Sequence, residues 1–134
     1  NKCVTEFVMS RPRILVVEDN PRVRELLVLF LEHERYDVME AATGPEALDR
    51  IAREKFDLIF LDLGLPIMTG DEVVRRIKAD PCTARIPIVV NTAFDSDTNI
   101  VKNAIVAGAD QVLYKPADFK NLLPVARRFV DQQH

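Results

Sequence analysis

From Arg13 onward, short apolar runs alternate with stretches whose apolar residues recur at helical spacing. Ile14-Leu15-Val16-Val17 is a continuous β-favouring run, the pattern of a strand covered on both faces. Asn20 offers an N-cap and Pro21 suits a first helical turn. Val23, Leu26, Leu27, Phe30 and Leu31 follow as the expected buried stripe. Tyr36 to Ala41 mixes polar and apolar residues, which suits an edge strand. Gly44-Pro45 opens a second helix with Ala47, Leu48, Ile51 and Ala52 on one face. Leu58-Ile59-Phe60-Leu61 is another buried-strand run, and it ends abruptly at Asp62.

The second half repeats the alternation. A loop from Leu63 to Gly70 leads to a helix carrying Val73, Val74 and Ile77, closed near Asp80-Pro81. Ile86 to Thr92 reads as a strand with Pro87 near its start, where a missing N–H does least harm. Ile100, Ala104, Ile105 and Ala107 mark a helix ending at Gly108, a residue suited to a left-handed C-cap. Gln111 to Tyr114 is a short strand before Lys115-Pro116. The last helix has Phe119, Leu122, Leu123, Ala126, Phe129 and Val130 in period, with Pro124 tolerable only near its first turns. Five strands alternating with five helices predict an α/β fold with a parallel sheet and helices on both faces. Right-handed crossovers leave few topologies, and the flavodoxin-like strand order 2-1-3-4-5 is the expected one.

Composition narrows the function classes. The 134 residues suit one domain, 48% of them are hydrophobic, and the net charge is −3. That balance gives no electrostatic reason to bind nucleic acid or an acidic membrane. The longest apolar run, Leu26 to Leu31, is far short of the ~18 residues that span a bilayer. Cys3 and Cys82 are too few for a disulfide framework and have no partners at metal-ligand spacing, which points to a reducing, cytoplasmic compartment. Residues 1–12 read as a leader, with Met9 a candidate natural start, 13–131 as the domain, and 132–134 as a tail. The length fits either a stand-alone regulator or a piece of a longer chain.

In such sheets ligands sit outside the carboxyl ends of the strands, where the strand order reverses. Strand 1 ends in Glu18-Asp19, strand 3 in Asp62, strand 4 in Thr92 and strand 5 in Lys115. Each residue alone has an ordinary explanation. Acids precede a helix, Asp62 starts a turn, threonine favours strands, and lysines are usually solvated. Together they converge on one rim. Clustered carboxylates repel one another unless a cation intervenes, and hard oxygen ligands suit Mg²⁺. A lysine and a hydroxyl beside them suit a dianionic phosphoryl group.

Val16-Val17-Glu18-Asp19-Asn20, Leu61-Asp62-Leu63-Gly64-Leu65-Pro66 with Gly70, Asn91-Thr92-Ala93, and Gly108-Ala109-Asp110 leading to Lys115-Pro116 resemble a response-regulator receiver domain, of the chemotaxis-regulator kind. The resemblance covers Arg13 to about Val130, with the motifs in order. It implies that Asp62 accepts a phosphoryl group from a histidine kinase or phosphotransfer protein. It implies further that Asp19, Asp62 and the Gly64 carbonyl bind Mg²⁺ directly, with Glu18 acting mostly through water. Lys115 would pair with a phosphoryl oxygen across a cis bond to Pro116, and Thr92 would report the phosphoryl group. The domain would be a signalling switch rather than an enzyme. It would pass its state to an output domain or downstream protein, by docking or by homodimerisation on phosphorylation.

Three positions depart from the family pattern. Val112 stands where an aromatic switch residue is usual; Tyr114 lies on the same strand face, two residues on. Gly64 offers no side chain beside Asp62, and Phe94 puts bulk two residues after Thr92, positions that tune the lifetime of the aspartyl phosphate in opposite directions. The Val112 departure keeps open a receiver-like binding module that works without phosphorylation. A flavin-binding module is disfavoured, because Glu18-Asp19 would repel its phosphate. His33, the basic face of Arg75, Arg76 and Lys78, and Arg127-Arg128 read as solvated surface. Val28 and Leu29 widen the apolar girth of the first helix, as core packing or as a partner surface.

Overall fold

The computed structural model describes residues 11–115 and 119–133. Within them, β1 (Arg13–Val17), β2 (Asp37–Ala41), β3 (Leu58–Leu61), β4 (Ile88–Thr92) and β5 (Gln111–Tyr114) alternate with α1 (Pro21–His33), α2 (Gly44–Arg53), α3 (Gly70–Ala79), α4 (Asn99–Ala107) and α5 (Phe119–Gln133). The strands form one parallel sheet in the order β2-β1-β3-β4-β5, as the alternation predicts. The expected cis bond to Pro116, most of the leader, and His134 lie outside the described residues.

Strand residues alternate between two cores. Leu15, Val17, Ile59, Leu61, Ile88 and Val90 face α2, α3 and α4. Ile14, Val16, Leu58, Phe60 and Val89 face α1 and α5, where Leu27, Leu31, Leu122, Ala126 and Val130 meet them. Asn20 caps α1 by accepting from the backbone N–H groups of Arg22 and Val23. Gly108 ends α4 at φ 116, a conformation that disfavours any side chain.

Several helical positions differ from the sequence pattern. In α1, Val28 is buried while Leu26 and Leu29 stay more than half exposed. The stripe is therefore rotated from the expected one, and Val28 is core. In α4, Ile105 is exposed and Val101 is buried, because α4 packs chiefly against α3. Ala52 likewise faces solvent.

Arg75, Arg76 and Arg127 are exposed, as expected, but Lys78 differs. Lys78 is not a solvated lysine: its ammonium donates to the carbonyls of Ala84 and Ile86 and to Asp110. Arg75 and Arg76 both pair with Glu72, and Arg127 pairs with Glu34. Cys82 is disulfide-bonded, so cysteine usage does not carry the reducing compartment inferred from it. Among the described residues no helix is long and apolar enough to cross a membrane.

Candidate functional site

The rim follows from parallel register. Val17 pairs with Leu61, and Leu61 with Val90, so the next residues along, Glu18, Asp62 and Asn91, lie side by side. Continuing the alternation of Val16, Phe60, Val89 and Leu113, the side chains of Glu18, Asp62, Asn91 and Lys115 fall on the α1/α5 face. Thr92 and Tyr114 are register partners on the opposite face.

Oxygens of Glu18, Asp19 and Asp62 lie within 4.8 Å of one another. Lys115 Nζ is 2.8 Å from Glu18 Oε1 and 3.8 Å from Asp62 Oδ1. The ammonium therefore bonds to Glu18 and only approaches Asp62. Asn20 N–H donates to the other Glu18 oxygen at 3.1 Å. Burial raises the Glu18 carboxyl above its ordinary value, the Lys115 hydrogen bond opposes that shift, and the neighbouring Asp62 adds to it. A buried acid beside two further carboxylates and one ammonium is a site of unbalanced negative charge. Three carboxylates so placed, oxygen-only and converging, fit a hard divalent cation such as Mg²⁺.

Backbone geometry fixes this cluster. Gly70 N–H donates to the Leu63 carbonyl at 2.9 Å, pulling the start of α3 against the β3 end. A Cβ on Gly70 would sit 2.5 Å from the Asp62 carbonyl oxygen, so only glycine fits. Thr92 is fully buried. Its carbonyl accepts from Lys115 N–H at 2.7 Å, and its Oγ1 accepts from Phe94 N–H at 3.1 Å. A Cβ on Gly64 would lie 3.9 Å from Asp62 Oδ2 and 3.5 Å from the Phe94 ring. The two departures from the family pattern are thus neighbours, with the Phe94 ring beside the space that a residue-64 side chain would fill.

Val112 packs against the α2/α3/α4 core, whereas Tyr114 is 43% exposed. Tyr114, Phe94 and Lys115 help to line an open cleft of about 510 Å³ between the β4–α4 loop and β5. Two residues without a role in the sequence reading belong to the rim. Arg24 donates to the Glu18 carbonyl at 2.8 Å and pairs with Glu40, anchoring the end of β1. Asn91 is 4% exposed and its Oδ1 has no hydrogen-bond partner. The signal for Asn91 was present, since it interrupts the apolar run Ile88-Val89-Val90 one residue before the functional threonine candidate.

Comparison with known proteins places the chain in a family. The family model described as the response regulator receiver domain matches residues 14–127. The chain belongs to that family. It is 40% identical over 107 residues to the transcriptional regulatory protein ResD of Bacillus subtilis, covering 80% of this chain and 43% of ResD. It is 37% identical over 121 residues to the response regulator ArlR of Staphylococcus aureus, covering 90% of this chain and 53% of ArlR. The chain thus spans about half the length of these relatives. Among solved structures, a CheY-like receiver domain protein from Methanospirillum hungatei matches at TM-score 0.86 and 31% identity, covering 92% of this chain and 97% of that one. The receiver domain of a sensor histidine kinase from Pseudomonas aeruginosa, solved with magnesium coordinated in its active-site cleft, matches at TM-score 0.83 and 30% identity, covering 91% and 99%. The chain is a response regulator receiver domain of two-component signalling.

Proposed function

We propose that this receiver domain takes a phosphoryl group onto Asp62 and uses it to switch a protein-interaction surface. The observation that carries the reading is the rim itself: three carboxylates with oxygens within 4.8 Å, and an ammonium 3.8 Å from the proposed acceptor. Phosphoryl transfer needs positioning and charge neutralisation more than covalent work by the protein. Asp62 supplies the nucleophile. One of its oxygens forms the new P–O bond as the P–N bond to a phosphohistidine breaks, and the imidazole leaves. Lys115, released from Glu18, pairs with a phosphoryl oxygen, and Thr92 offers its hydroxyl to another.

Asp19 and Asp62, with the Gly64 carbonyl, would hold Mg²⁺ directly and Glu18 mostly through water, as the magnesium-bound relative supports. The ion would offset the charge that gathers on the transferred oxygens. The donor is a histidine kinase or histidine phosphotransfer protein. The recipient of the switched state is an output domain or a downstream protein, in a cytoplasmic setting. The added charge of about −2 on the rim biases the neighbouring β4–α4 loop. The domain promotes its own phosphorylation, and water later cleaves the acyl phosphate. A receiver-like module working unphosphorylated would have no use for three converging acids and a buried threonine.

Incubation with a small acyl phosphate and Mg²⁺ tests this reading. The expected product is a phosphoprotein stable in acid and labile in base, absent from Asp62→Asn. Equal incorporation by Asp62→Asn would overturn the assignment.

A further inference from the structure

Lys115 leaves β5 and reaches Glu18 at the end of β1, with β3 and β4 between them. At about 4.8 Å per strand spacing, the two side chains together bridge about 14 Å. They must therefore cross the ends of β3 and β4, on the face that carries Asp62 and Asn91. An ammonium has three donors. Among the described residues one is used, to Glu18 Oε1 at 2.8 Å; Asp62 Oδ1 at 3.8 Å is beyond hydrogen-bonding distance.

Beneath this crossing, on the strand adjacent to β5, lies Asn91. Its Oδ1 is buried and unpartnered. A buried carbonyl oxygen without a donor is uncommon in folded proteins. Leu113, its register partner, carries no polar side-chain atom, whereas Lys115, two residues further along β5 and on the same face, carries unused donors.

We propose that Asn91 is a positioning residue for Lys115. With a divalent cation on the carboxylates, Glu18 no longer offers its oxygen to Lys115, and the ammonium moves back toward its own strand. There Asn91 Oδ1 accepts one N–H and leaves the others directed at the Asp62 side. The amide gives the lysine a second resting place, close to where charge develops in phosphoryl transfer. This rests on the proposed role of the rim, but it concerns a different atom and a different readout.

Two experiments test it. In the first, the side-chain amide resonances of Asn91 are followed by NMR as Mg²⁺ alone is added to the protein and to Lys115→Ala. A shift of the Asn91 carbonyl carbon in the parent that is absent from Lys115→Ala is expected. No shift in the parent, or the same shift in both, overturns the proposal. In the second, Asn91→Leu is compared with the parent. It removes an orphaned acceptor, so its metal-free melting temperature is expected to be at least equal. Mg²⁺ affinity is expected to stay within about twofold. Phosphoryl uptake from a small acyl phosphate at saturating Mg²⁺ should fall about tenfold, less than the about 10²–10³-fold of deleting a direct donor. Unchanged uptake in a folded Asn91→Leu overturns the proposal while leaving Asp62 as acceptor. Failure of the parent to take up phosphate overturns the Asp62 reading instead, and the NMR comparison still decides Asn91. If Asn91→Leu does not fold, the NMR comparison again decides alone.

Discussion

The two ends of the sheet handle acidic side chains in opposite ways. At the amino end, Asp57 accepts from Arg13 N–H at 2.8 Å, and the Arg13 guanidinium lies between Asp37 and Glu54 and over Phe56. Asp110 accepts from Ile88 N–H at 2.8 Å and from Lys78, which also ties down the carbonyls of Ala84 and Ile86. Asp57 and Asp110 each satisfy a backbone donor, and Asp37, Glu54 and Asp110 each meet a cation. At the carboxyl end, Glu18, Asp19 and Asp62 crowd together with one ammonium, and Asn91 Oδ1 is left without a partner. The first arrangement contributes stability; the second is unfinished electrostatically, and the proposed cation and phosphoryl sites rest on that imbalance.

This contrast can be broken residue by residue. The largest effect is expected at Lys115. Lys115→Ala should lower phosphoryl uptake by about 10²–10³-fold, as for other preorganised donors. Cation binding by the carboxylates should persist or tighten, since a competing positive charge is gone, and a Mg²⁺ titration reads this. Retained uptake would place the chemistry elsewhere.

Next comes Gly70, at the carboxyl end, because it links the fold to the rim. Gly70→Ala forces a Cβ against backbone atoms of Asp62 and Leu63. A loss of about 1–3 kcal/mol or more in denaturant unfolding is expected, together with weakened Mg²⁺ binding.

At the amino end the expectation reverses. Asp57→Ala leaves Arg13 N–H without this acceptor and should cost about 1–3 kcal/mol. Uptake per folded molecule should match the parent, and a loss of uptake there would erase the distinction between the two ends.

The smallest effect lies on the outer face of α3. Arg75 and Arg76 hold Glu72 down to about 2 from its ordinary 4.5. A depressed carboxyl stabilises the fold above its unfolded value, and that contribution disappears as pH falls from 4.5 towards 2. The pair lies at the surface, so salt should screen the contribution. Melting curves of the parent and Glu72→Gln should differ slightly at pH 7 in low salt and coincide in high salt.

Strand runs, caps and the polar ends of the strands were legible in the sequence, because each is written in local chemistry. Leu58 to Leu61 read as a covered strand, and Asp62 marked its end. The exact stripe of α1 was not legible. Six consecutive apolar residues from Leu26 to Leu31 give no period of their own, and packing against α5 and the sheet selects Leu27, Val28 and Leu31. Lys78 escaped for another reason. Its partners, Ala84, Ile86 and Asp110, are brought to it only by the α3–β4 turn and the sheet. The pairing of Lys115 with Glu18 rather than Asp62 is likewise tertiary, since it depends on how far a side chain reaches across two strands.

The most direct measurement locates the phosphoryl group itself. After reaction with a small acyl phosphate and Mg²⁺, borohydride reduction converts a phosphorylated aspartate to homoserine, which peptide mass spectrometry can place. Conversion at Asp62 alone, dependent on Mg²⁺, is the predicted result. Conversion at Asp19 or another carboxylate, or none at all in folded protein, would contradict the account.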